Sequence, residues 1–268
     1  MTSFTGTPTL LGLPFDEASS FRRGAAGAPP LLRAAMRSDA SNSWTEALVD
    51  LGVPGAYADV GDADLSGDAR GAMTAAVARV MAAGGRPVVL GGDHAVTWPV
   101  LRAVRAAHRE LSILHFDAHN DLYDHFEGDQ GSHACPFARI MEAGLADELV
   151  QVGIRAMTGH QREQADRFGV DVIDMRRWVA GVRPAVKHPV YLSIDMDVLD
   201  PAYAPGVSHR EPGGLTVRDV LTELQALRVP IVGADLVEYN PTRDLDGVTA
   251  TVGGKLLKEL LGAMGRGA

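Results

Sequence analysis

The chain has 268 residues, a formal net charge of −9 and a hydrophobic share of 46%. That suits an α/β chain with a sizeable core, most simply one domain over 1–268. The acidic balance and the lack of a Lys/Arg-rich run argue against a nucleic-acid partner. No apolar run reaches about 18 residues, so no membrane span is expected. Cys135 is the single cysteine, which excludes an intrachain disulfide. No basic-then-apolar leader opens the sequence, and the expected location is cytoplasmic.

In chain order, short apolar runs at 9–13, 56–60, 87–90, 112–116, 149–153, 170–173, 190–194 and 231–236 predict strands, several of them buried on both faces. Between them, 69–83 and 96–109 carry apolar residues at three- and four-residue steps and predict helices. A helix over 216–227 opens on Thr216, a capping residue type, and an apolar-striped helix over 246–261 closes the chain. The polar stretch 123–135 and the Pro- and Gly-containing stretch 200–214 read as surface loops at one edge of the sheet. The alternation predicts an α/β fold: a single-domain, three-layer α/β/α architecture with a mainly parallel sheet of about eight strands.

Three polar motifs sit where predicted strands end: Gly91-Gly92-Asp93-His94, Asp117-Ala118-His119-Asn120-Asp121 and Ser193-Ile194-Asp195-Met196-Asp197. Ligand sites in open α/β sheets gather beyond the carboxyl ends of the strands. In extended chain alternate side chains share a face, so Asp117, His119 and Asp121 point together, as do Asp195 and Asp197. The glycines before His94 allow a close turn. Six such groups, His94, Asp117, His119, Asp121, Asp195 and Asp197, would repel one another in a buried site without cations. Two divalent metals, some carboxylates bridging, would neutralise them. No thiolate takes part, which argues against structural zinc. Carboxylate with imidazole suits Mn²⁺, with Fe²⁺, Co²⁺, Ni²⁺ or Zn²⁺ also open. A two-metal site can make water a nucleophile at neutral pH. Asp93 is expected to orient His94. Asp200, before Pro201, reads as turn chemistry, and Cys135 as a small buried hydrophobe. His115, taken as out of phase with the face of Asp117, is expected to be structural. His209 is placed at the pocket mouth, and His125, His160 and His188 have no evident partner.

These motifs resemble the ureohydrolase family of arginases, agmatinases and related guanidino-acid hydrolases, over nearly the whole chain. The stretch Glu238-Tyr239-Asn240-Pro241 belongs to the same likeness. Phe126-Glu127-Gly128, Ser132-His133-Ala134 and Ala204-Pro205-Gly206-Val207-Ser208-His209 resemble its plant-type arginase branch. The resemblance implies an arginase-like fold and a dimanganese hydrolase that releases urea and an amine from a guanidino group. His94, Asp117, Asp121 and Asp195 would hold one Mn²⁺, and Asp117, His119, Asp195 and Asp197 the other, with Asp117 and Asp195 bridging. Three residues would be catalytic: Glu238 pairing with the guanidinium, Asp121 passing a proton to the leaving nitrogen, and His133 shuttling protons. The family also implies a homo-oligomer, a trimer or hexamer.

For the substrate, the segment after Asp121 lacks the amino-acid grip of animal-type arginases, and Ala156 follows Arg155 where they carry an acid. Asp124, Glu127 and Asp129, near the expected mouth, suit a cationic amine. The expectation therefore leans to agmatine, giving putrescine, ahead of arginine and then a guanidino acid. Two readings of another kind are a zinc deacetylase of the same fold, which would lack part of this ligand set, and a silent binding protein, which would not need His133 and Glu238.

Overall fold

The computed structural model describes residues 6–265, and the leader-free start expected at residues 1–5 lies outside them. Eight strands form one sheet: β1 (Thr7–Gly12), β2 (Ala58–Asp62), β3 (Gly85–Leu90), β4 (Ser112–Phe116), β5 (Glu148–Ile154), β6 (Asp171–Asp174), β7 (Val190–Asp195) and β8 (Ile231–Val237). Their order is β2-β1-β3-β8-β7-β4-β5-β6, and every neighbouring pair is parallel.

Eight α-helices accompany them: α1 (Ala28–Met36), α2 (Ala69–Ala82), α3 (Thr97–Ala107), α4 (Pro136–Glu142), α5 (Gly159–Phe168), α6 (Met175–Val179), α7 (Val217–Ala226) and α8 (Val248–Gly265). Strand alternation splits the core into two layers. Leu10, Val88, Leu114 and Leu192 face a cluster shared with α1, α7 and α8. Leu11, Val89, Ile113 and Tyr191 face a second cluster shared with α2, α3, α4 and α5. Helices therefore cover both faces of a parallel sheet, the expected three-layer architecture.

All eight predicted strands form, within a few residues of their expected bounds. The runs at the two sheet edges, 56–60 and 170–173, depart from double burial, the first of them most. The run at 56–60 becomes β2, half exposed, with Asp59 and Asp62 drawn to Arg33 of α1. Four helices were not apparent in the sequence. The prolines of α1 stand in its first turn, where their missing N–H costs nothing. α4 and α6 are only seven and five residues long. The polar α5 is held by its N-terminal cap more than by an apolar stripe. Among the described residues, no helix is long and apolar enough to cross a membrane.

What matters for chemistry is the sheet order. The motif-bearing strands β3, β4 and β7 lie with β8 as four consecutive central strands, β3-β8-β7-β4. Their carboxyl ends open on one crevice.

Candidate metal centre

Gly91 and Gly92 follow the last residue of β3, then a single turn carries His94 inward. A Cβ on Gly92 would lie 1.7 Å from the Phe15 carbonyl oxygen. Only glycine lets these two segments touch, and the Asp93 N–H donates to that same carbonyl at 2.8 Å. His94 is fully buried. Its Nδ1 stands 3.1 Å from Asp117 Oδ2, 3.1 Å from Asp121 Oδ2 and 3.2 Å from Asp195 Oδ2. A second group lies beside it: His119 Nδ1 is 3.0 Å from Asp197 Oδ2 and 3.4 Å from Asp117 Oδ1. Asp117 thus presents one oxygen to each histidine. All six predicted ligand residues converge at this place.

The ring orientation of His94 follows from its other nitrogen. Nε2 lies 2.9 Å from Ser193 Oγ, and the Ser193 hydroxyl donates to Asp235 Oδ1 at 2.7 Å. With its proton so used, Ser193 can only accept from His94, so the His94 proton is on Nε2. Nδ1 then turns a lone pair toward three carboxylates, and it makes no hydrogen bond. That is a buried convergence of acceptors. The charges agree. Burial, then Asp197 and Asp117, push Asp195 well above the usual carboxylate range, and burial with Asp117 pushes Asp197 up. Burial opposes charge on His94, yet Asp117, Asp121 and Asp195 outweigh it and lift its pKa well above the ordinary value. Each effect calls for positive charge at this spot. The donors are imidazole nitrogen and carboxylate oxygen, a set that fits divalent cations.

Several supporting groups escaped the sequence reading. Asp93 acts on His94 through the backbone: its Oδ1 accepts from the Ala95 N–H at 3.1 Å and caps the turn that carries His94. Its Oδ2 accepts from the Ala18 N–H at 3.0 Å and the Ser19 hydroxyl at 3.2 Å, pinning the segment before α1. Ser193 and Asp235 orient the ring itself, and Asp235 also accepts from Thr97 and Tyr191, both at 2.8 Å. His115 needs a larger correction. It lies two residues before Asp117 and so shares its face. The Gln151 amide must donate to the Asn120 carbonyl at 2.7 Å, which fixes its orientation, and its Nε2 also donates to His115 Nδ1 at 3.0 Å. His115 Nε2 then donates to Asp117 Oδ2 at 2.8 Å. Burial works against charge on Asp117, but His115, with His119 and His94, holds it well below the usual range.

Beside the ligands, His133 Nδ1 lies 2.7 Å from Glu238 Oε1, which also accepts from the His94 N–H at 2.9 Å. Among the described residues Glu238 Oε2 has no hydrogen-bond partner, and Glu238 lines the cleft. The Ser20 N–H donates to His133 Nε2 at 3.1 Å, with the Ser20 hydroxyl 2.8 Å away. Burial lowers the pKa of His133, but Glu238 lifts it to about 9. The Ser20 N–H opposes that rise, because a protonated Nε2 would face another donor. Asp121 and Glu238 both take positive φ, 50° and 61°, a strained conformation for residues with side chains.

The cleft above these groups is lined by Ser20, Tyr123, Phe126, Ala156, Gln161 and His209, among others. His209 thus sits where expected. Asp124, Glu127 and Asp129 do not line it. Asp124 instead faces His160 at 3.1 Å, which gives that histidine a partner, and Asp129 accepts from the Gly131 N–H at 2.7 Å. Asp200 does the turn work expected, accepting from the Ala202 and Gly213 N–H groups. Cys135 is fully buried, and burial pushes its thiol up to about 12.

A sequence model of the Arginase family matches residues 7–262. The chain belongs to the Arginase family. It is 48% identical over 280 residues to a protein of Medicago truncatula named "Arginase, mitochondrial", covering 97% of this chain and 82% of that one. The solved structure of arginase from Medicago truncatula superimposes with a TM-score of 0.92 at 47% identity, over 97% of this chain and 88% of that one. A guanidinopropionase of Pseudomonas aeruginosa is 37% identical, over 94% of this chain and 85% of that one. As a member of the Arginase family the chain is a metal-dependent hydrolase acting on guanidino groups, and it is similar to plant arginases over nearly its full length.

Proposed function

We propose that this hydrolase uses two Mn²⁺ ions and cleaves arginine to ornithine and urea. Two observations move the substrate from agmatine to arginine. The acids invoked for a cationic tail, Asp124, Glu127 and Asp129, stand away from the cleft. The acidic side chains that do line it, Asp121, Asp195, Asp197 and Glu238, belong to its reactive floor. The likeness to plant arginases over nearly the full chain favours the same substrate. The single observation that carries guanidino chemistry is Glu238: a buried carboxylate with one oxygen fixed by His94 and His133 and the other facing the cleft.

His94, Asp117, Asp121 and Asp195 would hold one ion, and Asp117, His119, Asp195 and Asp197 the other. Bound there, the pair supplies the charge that activates water and offsets negative charge developing on the substrate. The remaining work falls to the protein. Glu238 Oε2 receives a guanidinium N–H, a charge-assisted bond that aligns the planar group. Asp121 carries the proton lost by water to the leaving nitrogen, and its strained backbone fixes its direction. His133 keeps its proton on Nδ1 against Glu238, while Ser20, within reach of Nε2 and lining the same cleft, links it toward the opening.

A urea assay of the Mn²⁺-loaded protein against arginine, agmatine and 4-guanidinobutyrate tests this. Arginine is expected to give the highest kcat/KM. Preference for agmatine would overturn the substrate, and no urea from any of the three would overturn the reaction.

A further inference from the structure

We infer that the side-chain amide of Gln161 binds a carboxylate at the far end of the guanidino substrate and so selects carboxylate-bearing substrates over bare amines. This deepens the arginine reading above and rests on it.

Gln161 is the third residue of α5 and is 2% exposed, yet it lines the cleft shared by Glu238 and the ligand residues. Its oxygen is committed. Gln161 Oε1 accepts from the Thr158 N–H at 3.0 Å and from the Thr158 hydroxyl at 3.2 Å, while the Gln161 N–H donates to Thr158 Oγ1 at 3.3 Å. This reciprocal cap fixes which way the amide points, because a backbone N–H can meet only an acceptor. Gln161 Nε2 is therefore the atom left over, and among the described residues it has no hydrogen-bond partner. Gln161 borders the cleft, so a bound carboxylate oxygen would give this NH₂ the acceptor that the protein does not supply.

The position suits an anion. Gln161 sits in the first turn of α5, a ten-residue helix whose N-terminal end carries partial positive charge. His160, the residue before it, stacks on the cleft residue Tyr123 with ring centroids 5.7 Å apart, so this helix end borders the cleft. No carboxylate of the cleft lining other than those of the floor competes for the amide. A bare ammonium tail, as in agmatine, would meet a donor and a positive helix end. The α-carboxylate of arginine or the terminal carboxylate of a guanidino acid would meet a partner.

Gln161→Glu separates the two functions of this side chain. Glutamate keeps an oxygen for Thr158, since Glu is an ordinary partner in such a cap, but replaces the NH₂ with an anionic oxygen. The expected result is a fall of roughly tenfold to a hundredfold in the arginine-to-agmatine ratio of kcat/KM, carried mainly by KM for arginine. Gln161→Met, which removes the donor without adding charge, should move the ratio in the same direction by less. Melting curves of both variants report whether the cap survives. 4-Guanidinobutyrate distinguishes sources of the carboxylate: it should lose with arginine. A ratio left unmoved by Gln161→Glu, or an equal loss on arginine and agmatine, overturns the role of Gln161 while leaving arginine as substrate. A parent protein that cleaves agmatine and not arginine overturns the substrate reading and this inference together.

Discussion

His133 Nδ1 and Glu238 Oε1 lie 2.7 Å apart although 105 residues separate them in the chain. The contact joins the loop before α4 to the end of β8 and leaves Glu238 with one oxygen free toward the cleft. Burial alone would raise the pKa of Glu238, but His133 and the His94 N–H hold it below the usual carboxylate range. An ionised carboxylate facing the cleft is what a guanidinium needs.

Glu238→Gln preserves the shape of that side chain and removes its charge. Losing one charge-assisted bond should cost about 1.5–3 kcal/mol of binding in the transition state. Steady-state kinetics on arginine should show kcat/KM lower by roughly tenfold to a hundredfold or more, with the Mn²⁺ stoichiometry unchanged. An unaltered kcat/KM would remove Glu238 from the site.

Ser193 holds the His94 ring through Nε2 and is itself held by Asp235. Ser193→Ala should free the ring to turn and weaken one of the two metal sites by roughly 10- to 100-fold. Titration with Mn²⁺, following the free ion by electron paramagnetic resonance, reads this without reference to activity. Parent-like filling of both sites would show that packing alone orients His94.

Asp244 accepts from the Leu245, Thr249 and Ala250 N–H groups and from the Tyr239 hydroxyl, tying the start of α8 to the residue after Glu238. Burial would raise its pKa, but the Thr249 and Ala250 N–H groups hold it below the ordinary value. A carboxylate with a depressed folded pKa binds fewer protons folded than unfolded. Its contribution is therefore complete above the unfolded value of about 3.9 and is lost as pH falls through the folded one. Asp244→Ala should cost about 1–2 kcal/mol at pH 7, and denaturant melts should show the gap to the parent closing below about pH 4. A gap independent of pH would assign the loss to packing.

The sequence makes the sheet legible because each strand is a short apolar run set off by polar segments, and the ligand residues legible because their motifs follow strand ends. The extended alternation expected of them does not hold, since 117–121 bend beyond β4 with Asp121 at φ 50° and Asp197 lies in a 3-10 turn. The supports of those ligands are another matter. Ser193 and Asp235 are 42 residues apart and meet only because β7 and β8 pair in register. Gln151 reaches His115 because β5 lies beside β4. His115 itself was within reach of the sequence, since two residues in a strand bring a side chain back to the same face. The acids at 124, 127 and 129 misled because nearness in sequence does not give direction: their loop turns them from the cleft, and the cleft wall comes from Gln161, in a helix too polar for its periodicity to mark.

The central claim is that two bound ions at this six-residue site drive cleavage of a guanidino group. Its most direct test is urea release from arginine by protein stripped with a chelator and reloaded stepwise with Mn²⁺, with bound metal measured in parallel. The stripped protein should release negligible urea, and activity should rise to a plateau at two ions per chain. Urea release that survives stripping, or a plateau at one ion, would contradict the claim.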